Sequence, residues 1–128
     1  MYKLLLFVLM VSFSSFSQVQ IGNDIDGEVE GDLSGTSISL SSDGNVIAIG
    51  APSNDGNGNK SGHVRIYKNI SGVWTQIGTD INGEAENDLS GTSVSLSSDG
   101  NVIAIGALRN DGNGFDSGHV RVFENVSG

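Results

Sequence analysis

The chain has 128 residues, a formal net charge of −9 and no cysteine. Without cysteine there are no disulfides, no thiolate metal sites and no thiol catalysis, so stability comes from packing alone or from packing plus bound ions. The acidic balance excludes nucleic acid and anionic membrane as partners, since both require basic patches.

The first element is Met1–Ser17, "MYKLLLFVLMVSFSSFS", with one basic residue (Lys3), an apolar run from Leu4 to Val11 and a Ser-Phe-Ser ending. This is the pattern of a secretory signal peptide, with cleavage expected before Gln18. The run is too short for a membrane anchor, which needs about 20 apolar residues. Removing Lys3 leaves five basic against fifteen acidic side chains, a net charge of −10. No second hydrophobic segment follows, so no membrane insertion is expected after cleavage, and the expected location is secreted or cell surface.

Beyond the leader the chain repeats itself. Gln20–Gly72 laid over Gln76–Gly128 gives 53 aligned positions, of which 13 differ and 40 are identical. "SLSSDGNVIAIGA" occurs unchanged at Ser39–Ala51 and Ser95–Ala107. A unit that cannot bury its own hydrophobic face becomes stable by stacking on a copy of itself. Three segments follow: residues 1–17 as signal peptide, 18–75 as an N-terminal strand plus the first repeat, and 76–128 as an incomplete second repeat. Ile38/Val94, Ile66/Val122, Tyr67/Phe123 and Ile70/Val126 are apolar swaps and read as buried. Lys60/Asp116, Lys68/Glu124 and Ser53/Arg109 change charge and read as exposed.

Within a repeat, short strand-like runs alternate with Gly, Asn, Asp and Ser clusters, and no helical period appears. Four runs stand out in the first copy: Thr36–Leu40, Val46–Ala51, His63–Tyr67 and Val73–Ile77. Asp43-Gly44 between the first two is a hairpin signal, because glycine takes positive φ without a Cβ penalty. "VIAIGA" is apolar on both faces, which predicts a strand covered above and below by neighbouring sheets. The third run alternates, Val64 and Ile66 against His63, Arg65 and Tyr67, as an outer strand does. The expected fold is all-β: two four-stranded antiparallel blades of β-propeller type, a partial propeller. A parallel β-helix is the alternative.

Gly35-Thr36-Ser37-Ile38-Ser39-Leu40, then Ile47-Ala48-Ile49-Gly50-Ala51-Pro52, then Gly62-His63-Val64-Arg65-Ile66-Tyr67 resemble the FG-GAP repeats of the integrin α-subunit propeller. The second copy repeats the resemblance over Gly91–Leu96, Ile103–Ala107 and Gly118–Phe123. It is closest to variant repeats of secreted multi-repeat bacterial proteins, and it implies an adhesion-type, non-catalytic role. Ser34 and Ser90 stand where the family name has Phe, and Leu108 replaces the Pro of the GAP triplet. Many such repeats hold calcium in the first hairpin. Here that hairpin offers one carboxylate, Asp43 or its twin Asp99, and calcium wants six to eight oxygens.

Two other loops are candidates for a hard cation. Asp24, Asp26, Glu28, Glu30 and Asp32 recur at every second residue, with Asp80, Asn82, Glu84, Glu86 and Asp88 as their twins. Ca2+ would neutralise their mutual repulsion; equally, period-two spacing in an extended segment sets them on one solvated edge without an ion. Asn54-Asp55-Gly56-Asn57-Gly58-Asn59 also alternates oxygen donors, but Phe115 breaks the pattern in its twin and no Glu closes the loop, so a Gly- and Asn-rich turn is the ordinary explanation.

An active site is not expected. His63 and His119 are repeat twins, set apart on equivalent strands, whereas a catalytic pair needs distinct partners converging on one pocket. No Gly-x-Ser-x-Gly elbow is present. Asn69-Ile70-Ser71 and Asn125-Val126-Ser127 fit both a glycosylation sequon and an Asn-x-Ser-Gly turn.

The expected function is a secreted or cell-surface binding or adhesion module for a protein or carbohydrate ligand; the alternative is a structural spacer repeat of a larger surface protein. The loops that differ, Ser53–Lys60 and Arg109–Asp116, are where a ligand is sought. Two blades do not close a ring. Gln18–Gly22 aligns on Trp74–Gly78 and is the right type of strand to complete the second repeat. Between chains this predicts a head-to-tail homo-oligomer by strand exchange; the alternative is a segment of a longer multi-repeat chain.

Overall fold

The computed structural model describes residues 15–126; the signal-peptide reading of Met1–Ser17 falls, up to residue 14, outside them. Among the described residues there are eight strands and no helix. They are β1 (Ser37–Leu40), β2 (Val46–Ala51), β3 (His63–Ile70), β4 (Val73–Gln76), β5 (Ile81–Asn82), β6 (Ser90–Leu96), β7 (Val102–Ala107) and β8 (His119–Glu124). The first sheet runs β1-β2-β3-β4 with β5 also on β3, and the second runs β6-β7-β8. All pairings within the sheets are antiparallel.

The hairpins form where the Asp-Gly pairs place them. Gly44 has φ 72°, a left-handed conformation that favours glycine. The Asp43 carboxylate accepts from Ser41 Oγ at 2.6 Å and from the Asn45 amide at 3.0 Å, so the side chain closes its own turn. These bonds, the serine's first, hold its pKa down at about 2. Ser97, Asp99 and Asn101 repeat the arrangement in the second copy, and the Asp99 pKa is lowered for the same reason.

Register gives each sheet two faces. In the first, Ile38 lies opposite Ile49 and Leu40 opposite Ile47, and these share an Ile face with Arg65 and Tyr67. Ser37, Ser39, Ala48, Gly50, Val64 and Ile66 form the other, the Ala face. The second sheet repeats this: Val94, Leu96, Ile103, Ile105, Arg121 and Phe123 on its Ile face; Ser93, Ser95, Ala104, Gly106, Val120 and Val122 on its Ala face.

The core is the Ile face of the second sheet laid on the Ala face of the first. Ala48, Val64, Ile103 and Ile105 are its buried centre, surrounded by Ile66, Ile81, Val94, Leu96 and Phe123. Fully burying each large aliphatic contributes about 1.5–3 kcal/mol. Small residues on the Ala face let the backbones approach: a Cβ on Gly50 would collide with the Gly91 carbonyl of the second sheet. The serines of β1 then reach across, Ser37 Oγ donating to the Gly91 carbonyl (2.7 Å) and Ser39 Oγ accepting from the Leu96 amide (2.9 Å). The hairpin tips also meet, the Ser42 amide donating to the Ser98 carbonyl at 2.9 Å. The sheets stack as neighbouring blades of a propeller.

Four expectations are corrected. β3 is an inner strand, paired with β2 on one side and with β4 and β5 on the other, so His63, Val64, Arg65 and Tyr67 are all buried. The second sheet has three strands among the described residues, not four. Gln18–Gly22, expected as a strand, forms none within the single chain; the Ile21 carbonyl accepts the Trp74 indole N–H at 2.9 Å, which ties this segment to the first sheet. Of the apolar swaps read as buried, Ile38, Val122, Ile70 and Val126 are exposed, since they lie on outer faces or at or beyond strand ends.

Candidate functional site

The acidic segment leads from the N-terminal residues into β1. It is not extended throughout: the chain bends at Glu28 and Val29 and turns at Glu30 and Gly31, and Leu33 sits at φ 57° with its twin Leu89 at φ 53°. Bulky residues rarely adopt this region. Each is held by a threonine three residues on, whose Oγ1 donates to the leucine carbonyl at 2.6 Å. The turn aims the carboxylates in different directions rather than along one edge.

Asp24 accepts from Gln20 Nε2 at 2.8 Å, and Asp80 likewise from Gln76 at 2.7 Å. The Asp26 carbonyl takes Arg65 Nη2 at 2.8 Å, as the Asn82 carbonyl takes Arg121 Nη2 at 2.6 Å. Glu30 and Glu86 are exposed. Asp32 and Asp88 are only 5% and 3% exposed, which corrects the solvated-edge expectation for both. Asp32 accepts Asn54 Nδ2 at 2.9 Å; Asp88 accepts Asn110 Nδ2 at 2.9 Å and the Ala85 amide at 3.1 Å. The two loops singled out separately in the sequence are thus two sides of one hydrogen-bonded corner. Asn54 also closes an Asx turn onto the Gly56 amide, and the Asp55 carboxylate accepts the Lys60 amide, both at 2.8 Å.

Glu28 and Asp80 are brought together from different repeats, and they meet at His63. The imidazole Nδ1 lies 3.8 Å from Glu28 and 3.7 Å from Asp80, and Arg65 Nη1 lies 3.5 Å from Glu28. Burial pushes the His63 pKa down; Asp80 and Glu28 pull it up and lose. Burial likewise raises the Tyr67 phenol, over whose ring the Arg65 guanidinium sits at 5.5 Å. In the second repeat Glu84, Asp88 and His119 gather, with His119 Nδ1 3.6 Å from Glu84. One imidazole with two carboxylates is a donor set able to hold a divalent cation, and the nitrogen suits a transition metal better than calcium. Sequence reasoning set the histidines aside as unlinked twins. The signal that could have found these groups is the shared offset of 35 residues from Glu28 to His63 and from Glu84 to His119.

Beside this group a cleft of about 800 Å3 is lined by Glu28, Glu30 and Asp32 of the acidic segment, Asp55 and Lys60 of the differing loop, and Asp80 and Asn82 of the second repeat. Its charge is strongly negative, with Lys60 the one basic residue in the lining.

No curated protein matches the chain. Residues 81–123, running from β5 through β8, match the family model described as FG-GAP repeat. The first copy shares 40 of 53 aligned positions with the second and folds into the same three leading strands, so the similarity to the FG-GAP repeat found over residues 81–123 extends to the first copy.

Proposed function

We propose that this is a non-catalytic binding module of an exported surface protein, and that its ligand-facing end is the acidic cleft. The supporting observation is the cleft's lining: the loop Ser53–Lys60, where the repeats differ, stands against the acidic segment there. A surface with four accessible carboxylates, Glu28, Glu30, Asp55 and Asp80, and one lysine selects a partner of opposite charge, here a protein presenting lysine or arginine side chains. Export rests on the leader-like Met1–Ser17. A non-catalytic role is supported by the use of both histidines and their carboxylates in paired, repeat-equivalent contacts. Immobilised protein titrated with an oligolysine peptide is expected to bind in a salt-dependent way, and Glu30→Gln with Asp55→Asn to weaken it several-fold. Selective binding on a glycan array with no response to the peptide would replace this partner with a carbohydrate.

In this reading the carboxylates need no calcium, because glutamine, asparagine, arginine and histidine already occupy most of them. The melting temperature is expected to be the same in calcium and in EGTA. A rise with calcium concentration would mark a bound ion that favours the folded state. The structural-spacer reading is favoured by a separate observation, the matched pair of outer faces.

A further inference from the structure

The blade-to-blade interface among the described residues is heterologous: an Ile face on an Ala face. The 56-residue offset between the copies makes each outer face a twin of one half of that interface. On the first sheet's outer Ile face, Ile38 is 60% and Leu40 54% exposed, while their twins Val94 and Leu96 are half-buried in the core. On the second sheet's outer Ala face, Val120 is 66% and Val122 65% exposed, while their twins Val64 and Ile66 are buried and half-buried. Ser93 and Ser95, twins of the serines that bond across the interface, are exposed, and their hydroxyls have no hydrogen-bond partner among the described residues. Gly50 admits the backbone of a neighbouring sheet, whereas the atoms nearest Gly106 belong to Ser93 of its own sheet.

The outer strand tells the same story. Ile81 and Asn82 pair with Val64 and His63, and Gln76 with Tyr67, at the end of the first sheet. Their twins Ile25, Asp26 and Gln20 form no strand, and β8 has no strand beyond it among the described residues. Gln20–Asp26 carries the residues that β8 lacks on its free side.

We infer that a second copy of this chain docks head to tail: its first-sheet Ile face covers Val120 and Val122, and its Gln20–Asp26 pairs along β8. Ile25 of the second copy then lies opposite Val120, Asp26 opposite His119, and Gln20 opposite Phe123, the registers their twins already hold. The contact extends an interface the chain has already built, and it is complementary rather than self-complementary. Each chain therefore keeps one face of each kind free for the next, closing into a ring or growing as a filament.

The test uses two variants of the full chain followed by light scattering. Ile38→Asp with Leu40→Asp blocks the Ile face; Val120→Asp with Val122→Asp blocks the Ala face. All four positions are exposed within the single chain, so folding is retained. The unmodified protein is expected to give species of at least twice the single-chain mass, and each variant a single chain. An equimolar mixture of the two is expected to give a dimer and nothing larger, because each supplies the face the other has lost. That rescue also shows both variants to be folded. An unmodified protein that stays single-chain, a variant that dimerises with itself, or a mixture that stays single-chain while the unmodified protein assembles would each overturn the inference.

Discussion

Val64 and Val120 are repeat twins, in the equivalent strands β3 and β8, with the same register to the strand before, yet one is wholly buried and the other is 66% exposed. The first repeat gives its Ala face to the core and leaves Ile38 and Leu40 of its Ile face exposed; the second gives its Ile face to the core and leaves Val120 and Val122 of its Ala face exposed. Near-identical units thus occupy unlike surroundings, and the difference isolates what neighbours contribute from what the strand itself prefers. His63 and His119 teach the same lesson. The first is closed in by β5 and by Asp80 of the following repeat, while the second gathers Glu84 and Asp88 of its own repeat.

The largest test of this comparison is a charge placed at each valine. Val64→Asp puts an unpaired carboxylate into the core and is expected to cost about 4 kcal/mol or more. Val120→Asp, measured by urea denaturation at low protein concentration, is expected within about 0.5 kcal/mol of the parent. Equal losses would show that the two faces are buried alike.

A smaller contrast lies in the corner beneath the acidic segment. Asn54→Ala strips the buried Asp32 carboxylate of its one side-chain donor and is expected to cost about 1–3 kcal/mol. Asn110→Ala is expected to cost less, because Asp88 keeps the Ala85 amide. The order of the two denaturation midpoints checks this.

The smallest effect is on acid stability. The pKa of Asp43 and that of Asp99 are lowered by their own turns, so their contribution is complete above the ordinary aspartate value of 3.8 and lost as pH falls below it, for Asp43 toward about 2. His63 acts in the same direction at higher pH. Burial lowers its pKa against Asp80, Glu28 and Asp32, with Arg65 assisting, so the neutral form is favoured on folding. Its stabilisation is complete above 6.5 and lost as pH falls below that value. Melting temperature is therefore expected to fall as pH is lowered from 7 to 5, and His63→Gln to flatten that slope. A rise over this range would mean that the pairs with Glu28 and Asp80 outweigh burial.

Much was legible without the fold. The repeat, the Asp-Gly hairpins at 43–44 and 99–100, and β1, β2 and β4 to within a residue or two all follow from local preferences, which identical strings share wherever they stand. The resemblance to FG-GAP repeats follows from the same strings. What the sequence could not decide was which face of each sheet would be covered. Alternation in His63–Tyr67 looked like an outer strand because it shows two chemistries on two faces, and the polar one is buried here against Glu28, Asp26 and Asp80. Period-two acids looked solvated because spacing carries no record of the turn that sends Asp32 inward to Asn54. Strand formation is written in each residue and its near neighbours. Burial and pairing across 22 or 56 residues belong to whatever packs alongside, and only the stacked sheets determine that.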